Sequence, residues 1–399
     1  MRILNHFMLF AIAVFLHGFL LAKSENAVMT SSGITHGVVK KGVITWHDIP
    51  YAKPPVANLR WRAPQTLKNN KQIIENKNNN FCVQRPSSLG GAPGDDDFVG
   101  TEDCLYLDIR KPKNSTEKLP VMFWIHGGGN TSGLKDIYDF SDLVKKEKVI
   151  VVSINYRLGP FGWFSHPAIQ ELQDGLDQTS NFGTLDIIKA LEWVQINIED
   201  FGGDKNNITI FGESAGGHNV LSLLVSPKAK GLFHKAISQS GYTTSISYEV
   251  AYNKKHESID YINSNEIVEK IIGPNQKLSH IRSELKSLPA YDLYKNYSND
   301  PLKEIPLMTN DGIVIPFEGL AASLKNPIDS SIPVIAGSNR DEVKLWIGTA
   351  LYFIEAEYSL IGSIFGIPRI KIINEDAFEA FNYYRSSAWQ IRGVVEPLN

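Results

Sequence analysis

Gly212-Glu213-Ser214-Ala215-Gly216 has the G-x-S-x-G form that presents a serine hydroxyl for nucleophilic attack. The text on either side fits that use. Ile208 to Phe211 reads as a strand, and Ala215 to Val225 reads as the helix after it. The serine would then sit on a tight strand–turn–helix elbow. Glycines flank it because such a turn leaves no room for larger side chains. The free N–H groups of the helix N-terminus would point toward developing negative charge. The bare pattern also occurs as a plain structural turn, and the strand and helix around it favour the nucleophile.

A second group lies upstream. His126-Gly127-Gly128-Gly129 follows the apolar run Pro120 to Ile125. Acyl transfer passes through a tetrahedral oxyanion that needs preorganised N–H donors. A run of glycines lets backbone amides approach that atom with no Cβ in the way. Gly128 and Gly129 are the expected donors of this oxyanion hole, with the amide of Ala215 as the third. The alternative is a flexible turn, which two linked motifs in this order disfavour.

Such groups need a scaffold, and the rest of the chain reads as an α/β fold. Val149 to Ile154 is a second run rich in β-branched residues, and with Pro120 to Ile125 it reads as buried strands of a mostly parallel sheet. Ile187, Leu191, Val194 and Ile198 fall on one face of a helix that Phe201-Gly202-Gly203-Asp204 ends. Lys235 to Gln239 and Pro333 to Gly337 read as further strands, and strands alternating with helices argue a parallel sheet. Lys68 to Asn80 reads as a surface loop. Tyr248 to Leu302 is polar and helix-prone and resists placement.

The 399 residues are 43% hydrophobic and 21% charged, with a net charge of -3, as in an ordinary soluble protein with a large core. No basic stripe suggests a nucleic-acid partner. No metal constellation or dinucleotide fingerprint stands out, so no cofactor is expected. Arg2, an apolar stretch from Ile3 to Ala22, and the small residues of Ala22-Lys23-Ser24 read as a signal peptide over residues 1–24, leaving one domain over 25–399. An uncleaved anchor is the alternative, but His6 and His17 interrupt the stretch, and no later segment could span a bilayer. The expected location is therefore secreted, extracellular or periplasmic, without stable membrane insertion after cleavage. In that setting the two cysteines, Cys82 and Cys104, read as one disulfide, the alternative being two separate buried thiols.

Taken together, the motifs resemble the type-B carboxylesterase and cholinesterase family. The matching text is Asp48-Ile49-Pro50-Tyr51-Ala52, Glu102-Asp103-Cys104-Leu105-Tyr106-Leu107, Asn155-Tyr156-Arg157-Leu158-Gly159-Pro160, Asn181-Phe182-Gly183-Thr184-Leu185-Asp186, Phe201-Gly202-Gly203-Asp204 and Gly212-Glu213-Ser214-Ala215-Gly216-Gly217. The resemblance implies an α/β-hydrolase fold, a mostly parallel central sheet flanked by helices, a Ser-Glu-His triad, and a small loop closed by Cys82 and Cys104. It implies that Glu342, in Gly337-Ser338-Asn339-Arg340-Asp341-Glu342, is the acid, although Val343 stands where many members have glycine. Asp341 is the alternative acid.

The general base is missing from this pattern. The order on this fold is nucleophile, acid, histidine, and no histidine follows His280. Ser386-Ser387-Ala388-Trp389 resembles a family segment upstream of that histidine, so the expectation is a chain incomplete at its C-terminus, truncated or a fragment. His218 lies behind the elbow and reads as a packing or helix-surface residue, and His126 as a residue that fixes the glycine loop. Cholinesterases hold a quaternary ammonium on a tryptophan in the disulfide loop. Between Cys82 and Cys104 there is no tryptophan, and the one aromatic residue is Phe98, so a general alkyl or aryl carboxylic ester is the expected small-molecule substrate. The rival reading is a non-catalytic remnant or a cholinesterase-like adhesion or binding protein. Asn114, Asn130, Asn207 and Asn296 each open an N-x-S/T glycosylation pattern.

Overall fold

Runs of Val, Ile and aromatic residues pair into an eight-stranded sheet in this computed structural model, which describes residues 26–68, 71–77, 80–87, 90–255, 261–297, 305, 307–347, 353–357 and 369–398. The expected signal peptide, 1–24, lies outside the described residues. The strands of the sheet are β1 (Val38–Lys40), β2 (Val43–Pro50), β3 (Tyr106–Pro112), β4 (Leu119–Ile125), β5 (Ile150–Ile154), β6 (Gly203–Glu213), β7 (Lys235–Gln239) and β8 (Val334–Gly337). Their spatial order is β8-β7-β6-β4-β5-β3-β2-β1. From β8 to β5 all neighbours are parallel, and from β5 to β1 all are antiparallel. All five residues of β5 are buried, as a central parallel strand covered on both faces should be. At the β8 edge, Ile335 is 65% exposed.

Helices cover the sheet. The apolar spacing read from Ile187 to Ile198 becomes α1 (Phe182–Asn197), and its buried surface is wider than one stripe, because Phe182, Leu185, Ile188 and Trp193 are buried too. A 3-10 turn at Ile198–Phe201 and Gly202 at φ 84° end it, a left-handed stop that favours glycine. The helix expected after the serine is α2 (Ala215–Val225), with every residue buried. The stretch that resisted placement holds short helices, among them α3 (Ser264–Ile272) and α4 (Leu278–Ser287). Their apolar faces pack with Trp61, Phe161 and Phe164 into a second core beside the sheet. The helix α5 (Glu375–Gln390) lies near the C-terminus.

Parallel register decides where the loops go. Ile125 pairs with Gly212, Glu213 with Gln239, and Gln239 with Gly337. The segments that leave β4, β6, β7 and β8 therefore emerge side by side at one edge of the sheet. Carboxyl ends of parallel strands are the usual place for sites in open α/β sheets.

Candidate active site

Ser214 has φ 56° and ψ −120°, a backbone conformation that L-residues rarely adopt. The neighbouring strand and helix hold it there. Its N–H donates to the Gln239 carbonyl at 2.8 Å, and its carbonyl accepts the His218 N–H at 2.9 Å. A Cβ on Gly216 would lie 2.1 Å from the Ile125 carbonyl oxygen, so α2 can sit this close to β4 only with glycine there. Among the described residues the Ser214 hydroxyl has no hydrogen-bond partner.

The glycine loop after β4 abuts this elbow. A Cβ on Gly127 would be 2.7 Å from the Glu213 carbonyl oxygen and 3.3 Å from the Ser214 Cβ. Gly128 and Gly129 have φ 92° and 64°. Buried side chains pin the loop from behind. The Tyr156 hydroxyl donates to the His126 carbonyl at 2.8 Å, and the Asn219 amide of α2 donates to Asn130 Oδ1 at 2.8 Å. Asn130 is fully buried, which removes its glycosylation pattern from the accessible surface. Asn114, in contrast, is exposed in the turn after β3.

The loop that carries Glu342 leaves β8. The Glu342 carboxylate accepts from the Ser240 hydroxyl at 3.0 Å and from the Asn339 N–H at 2.6 Å. It is also close enough to Glu213 to disfavour the charge of that carboxylate. Burial first, and then Glu342, push the Glu213 carboxyl above its ordinary value. Asp341 points elsewhere. It pairs with Arg340 and Lys344 and accepts from Asn382 Nδ2 at 2.7 Å, which ties the loop to α5. Arg340 and then Asn382 hold its carboxyl below the usual range. The position of Asp341 thus suits a clamp, and that of Glu342 faces the elbow side. Sequence reading passed over Glu213, Ser240 and Asn339. Glu213 lies inside the serine motif and Asn339 lies three residues from Glu342, but the Ser240 contact joins loops 102 residues apart in the chain.

Two described histidines flank the elbow, and each gives Nδ1–H to a backbone carbonyl. His218 donates Nδ1–H to the Tyr242 carbonyl at 2.7 Å and stacks on the Tyr242 ring. His126 does the same toward the Gly127 carbonyl at 2.9 Å, against Tyr156. Burial pushes each imidazole down to about 4, so both are neutral near pH 7. They serve packing and loop shape.

Cys82 and Cys104 form a disulfide with Cα atoms 5.0 Å apart. Within their loop, Phe98 lies against Tyr291, Tyr294 and Arg85, and Asp95, Asp96 and Asp97 are exposed. Among the described residues, ligand atoms of His47, Asp108 and Asp136 lie within 4.8 Å of one another. The cluster does not suit a metal ion, because the Lys135 ammonium already stands 2.9 Å from Asp108 and 2.6 Å from Asp136. No helix of the described residues is long and apolar enough to cross a membrane.

Comparison with known proteins agrees with this architecture. The profile of the Carboxylesterase family matches residues 24–359. The chain is 35% identical to the para-nitrobenzyl esterase of Bacillus subtilis over 332 residues, 80% of this chain and 63% of that protein. It is 42% identical to human cocaine esterase over 214 residues, 50% of this chain and 36% of that protein. A carboxylesterase structure from Geobacillus stearothermophilus superposes with a TM-score of 0.70 at 31% identity, covering 94% of this chain and 75% of that one. A para-nitrobenzyl esterase structure does so with a TM-score of 0.69 at 32% identity, covering 85% and 68%. The chain thus spans under two thirds of the length of these curated relatives. An eight-stranded α/β-hydrolase sheet, a serine elbow beside a glycine loop, and a profile match over most of its length place this chain in the Carboxylesterase family.

Proposed function

We propose that this protein is a serine hydrolase that cleaves carboxylic esters through an acyl-enzyme on Ser214. The single observation that carries the reading is the elbow itself: a serine in a rare backbone conformation, with a free hydroxyl, beside a glycine loop and a helix N-terminus. Attack by Ser214 Oγ on the ester carbonyl would place the oxyanion near the amides of Gly128, Gly129 and Ala215. No acceptor is paired with those amides among the described residues. Glu342 is the acid of the triad in this reading, and its hydrogen bonds from Ser240 and Asn339 hold it toward the elbow side of its loop. Alcohol leaves first, and water then releases the acid. The relatives whose names specify nitrobenzyl esters, cocaine or fatty acyl-CoA favour a small-molecule ester with an apolar acyl or alkyl part. The Cys82–Cys104 bridge supports a protein that matures in an oxidising, secretory compartment, with residues 1–24 as its signal and 25–399 as its hydrolase domain.

The serine needs an imidazole to take its proton. Among the described residues no imidazole is hydrogen-bonded to the Ser214 hydroxyl, and His126 and His218 give Nδ1–H to backbone carbonyls and not to a carboxylate, which favours a second reading in which this chain alone is a non-catalytic remnant. One experiment separates the two. A fluorophosphonate probe should label Ser214 covalently, and the label should vanish in Ser214→Ala. Turnover of an activated aryl ester by this chain should be weak, because losing the base of such a triad costs about a millionfold in rate. Labelling that survives Ser214→Ala would remove Ser214 from the chemistry. Full turnover would show that an imidazole of this chain serves after all.

A further inference from the structure

Away from the elbow, the 3-10 turn Ala57–Leu59, the segment around Arg62 and one face of α4 enclose an open cleft of 680 Å³. Ser279, Ser283 and Ser287 are spaced by four residues along α4, so their hydroxyls line one side of it. Arg282 and Lys286 lie beside that row, and Arg62 faces them from the other wall. No acidic residue lines the cleft. Among the described residues, the only carboxylate within ion-pair distance of any of the three cations is Asp177, 3.0 Å from Arg62. Arg60, close by, is already neutralised by a two-pronged pair with Glu102 at 2.7 and 2.6 Å.

Arg282 and Lys286 therefore carry uncompensated charge. Arg282 donates to the Leu172 carbonyl and reaches Gln173 Oε1 at 3.5 Å, and Lys286 donates to the Asn58 carbonyl at 2.9 Å. Among the described residues neither is in an ion pair. These are neutral acceptors, and each cation keeps further N–H groups for another partner. The strain of like charges is visible at Lys286. Burial, then Arg282 and Arg62, bring its ammonium down to about 8, and Asp177 offsets this only in part.

We propose that this cleft binds a small molecule bearing a phosphate or sulfate group. The guanidinium of Arg282 and the ammonium of Lys286 would hold the oxyanion. The hydroxyls of Ser279 and Ser283 would donate to its remaining oxygens, that of Ser287 being given to the Glu284 carbonyl at 3.0 Å, and Arg62 would add charge from the opposite wall. Charge-assisted bonds of this kind are the strong ones, and Arg matches the geometry of an oxyanion in two-pronged fashion. The volume exceeds that of a bare ion and leaves room for an organic body. None of the elbow residues lines the cleft, so the site is separate from the ester chemistry.

Inorganic pyrophosphate is the probe, titrated into the whole purified chain by calorimetry with ionic strength held constant by sodium chloride. Saturable one-to-one binding is expected, weakened about tenfold or more in the double variant Arg282→Gln/Lys286→Gln. It should also weaken as pH rises past about 8, where Lys286 loses its proton. Asp177→Asn frees Arg62 and should tighten binding several-fold. A misfolded protein could not mimic that gain. If the two cations are only struts between α4 and its neighbours, pyrophosphate will do no more than chloride of equal ionic strength, and the proposal fails. It fails equally if the folded double variant, checked by circular dichroism, binds as the parent does, or if Asp177→Asn weakens binding.

Discussion

At the scale of single residues, the elbow stores strain that its neighbours hold in place. A non-glycine residue at φ 56°, ψ −120° costs about 1–3 kcal/mol. Ser214→Gly should therefore raise the unfolding free energy by about 1 kcal/mol, after allowing for the extra freedom of glycine in the unfolded chain. Ser214→Ala keeps the Cβ and should show no such gain, so denaturation of the two variants side by side checks the point. Glu213 carries a second cost. Its carboxyl is raised by burial and by Glu342, so folding favours the protonated form. That contribution to stability is full below the ordinary glutamate value and is lost as pH rises through the raised one. Glu213→Gln should accordingly stabilise the chain near neutral pH and make little difference in mild acid. Urea melts across pH would expose the reverse trend if the assignment is wrong.

At the scale of elements, the site depends on segments that clamp one another. The Glu342 loop and the loop after β7 are both held by α5: Ser386 Oγ accepts the Val343 N–H at 3.2 Å, and the Trp389 indole donates to the Ser240 carbonyl at 3.1 Å. After α5 the chain comes down on the β7 loop so closely that a Cβ on Gly393 would lie 2.0 Å from the Gly241 carbonyl oxygen. The segment read from sequence as lying upstream of a missing histidine is thus itself part of the wall behind Glu342. The other clamp is covalent. Cys82 and Cys104 are 22 residues apart, and closing a loop of that size is worth about 3 kcal/mol in the chain-entropy model. The double variant Cys82→Ser/Cys104→Ser should lose about that much on chemical denaturation. Phe98 packed on Tyr291 and Tyr294, and the Tyr291 hydroxyl donating to the Gly100 carbonyl at 2.8 Å, join this loop to the helical layer.

At the scale of the whole molecule, the antiparallel end of the sheet is joined to the glycine loop by buried charge. Lys135 reaches Asp48 and Asp108 at 2.9 Å each, and Asp108 also accepts from His47 at 2.7 Å. Burial alone would lower the Lys135 ammonium, and the three carboxylates around it overcome that and raise it. His47 is raised by its hydrogen bond to Asp108 against burial and against the charges of Arg110 and Lys135. A raised imidazole stabilises the fold fully below its ordinary value of 6.5, and that stability is lost as pH climbs through the raised value. The chain should therefore become easier to unfold as pH rises above 6.5, and His47→Gln should flatten that part of the profile. A variant profile parallel to the parent's would show that His47 does not titrate there.

What was legible in the sequence was local. Ser214, the glycine run and α2 could be read because an elbow and a glycine loop are made by consecutive residues under steric rules that act over a few positions. The strands β4 and β5 were legible for the same reason, since burial on both faces demands an apolar run. The family resemblance supplied Glu342, which no local pattern marks. Only the tertiary structure decided the rest. Parallel register brings the ends of β4, β6, β7 and β8 to one edge, and that alone places Ser240 against Glu342 across 102 residues of sequence and turns Asp341 toward α5. Burial, equally invisible in the linear text, made His218 and His126 neutral packing groups, took Asn130 off the surface, and left Arg282 and Lys286 together in a cleft without a carboxylate. Charge and accessibility are properties of neighbours, and neighbours are set by how the chain crosses itself.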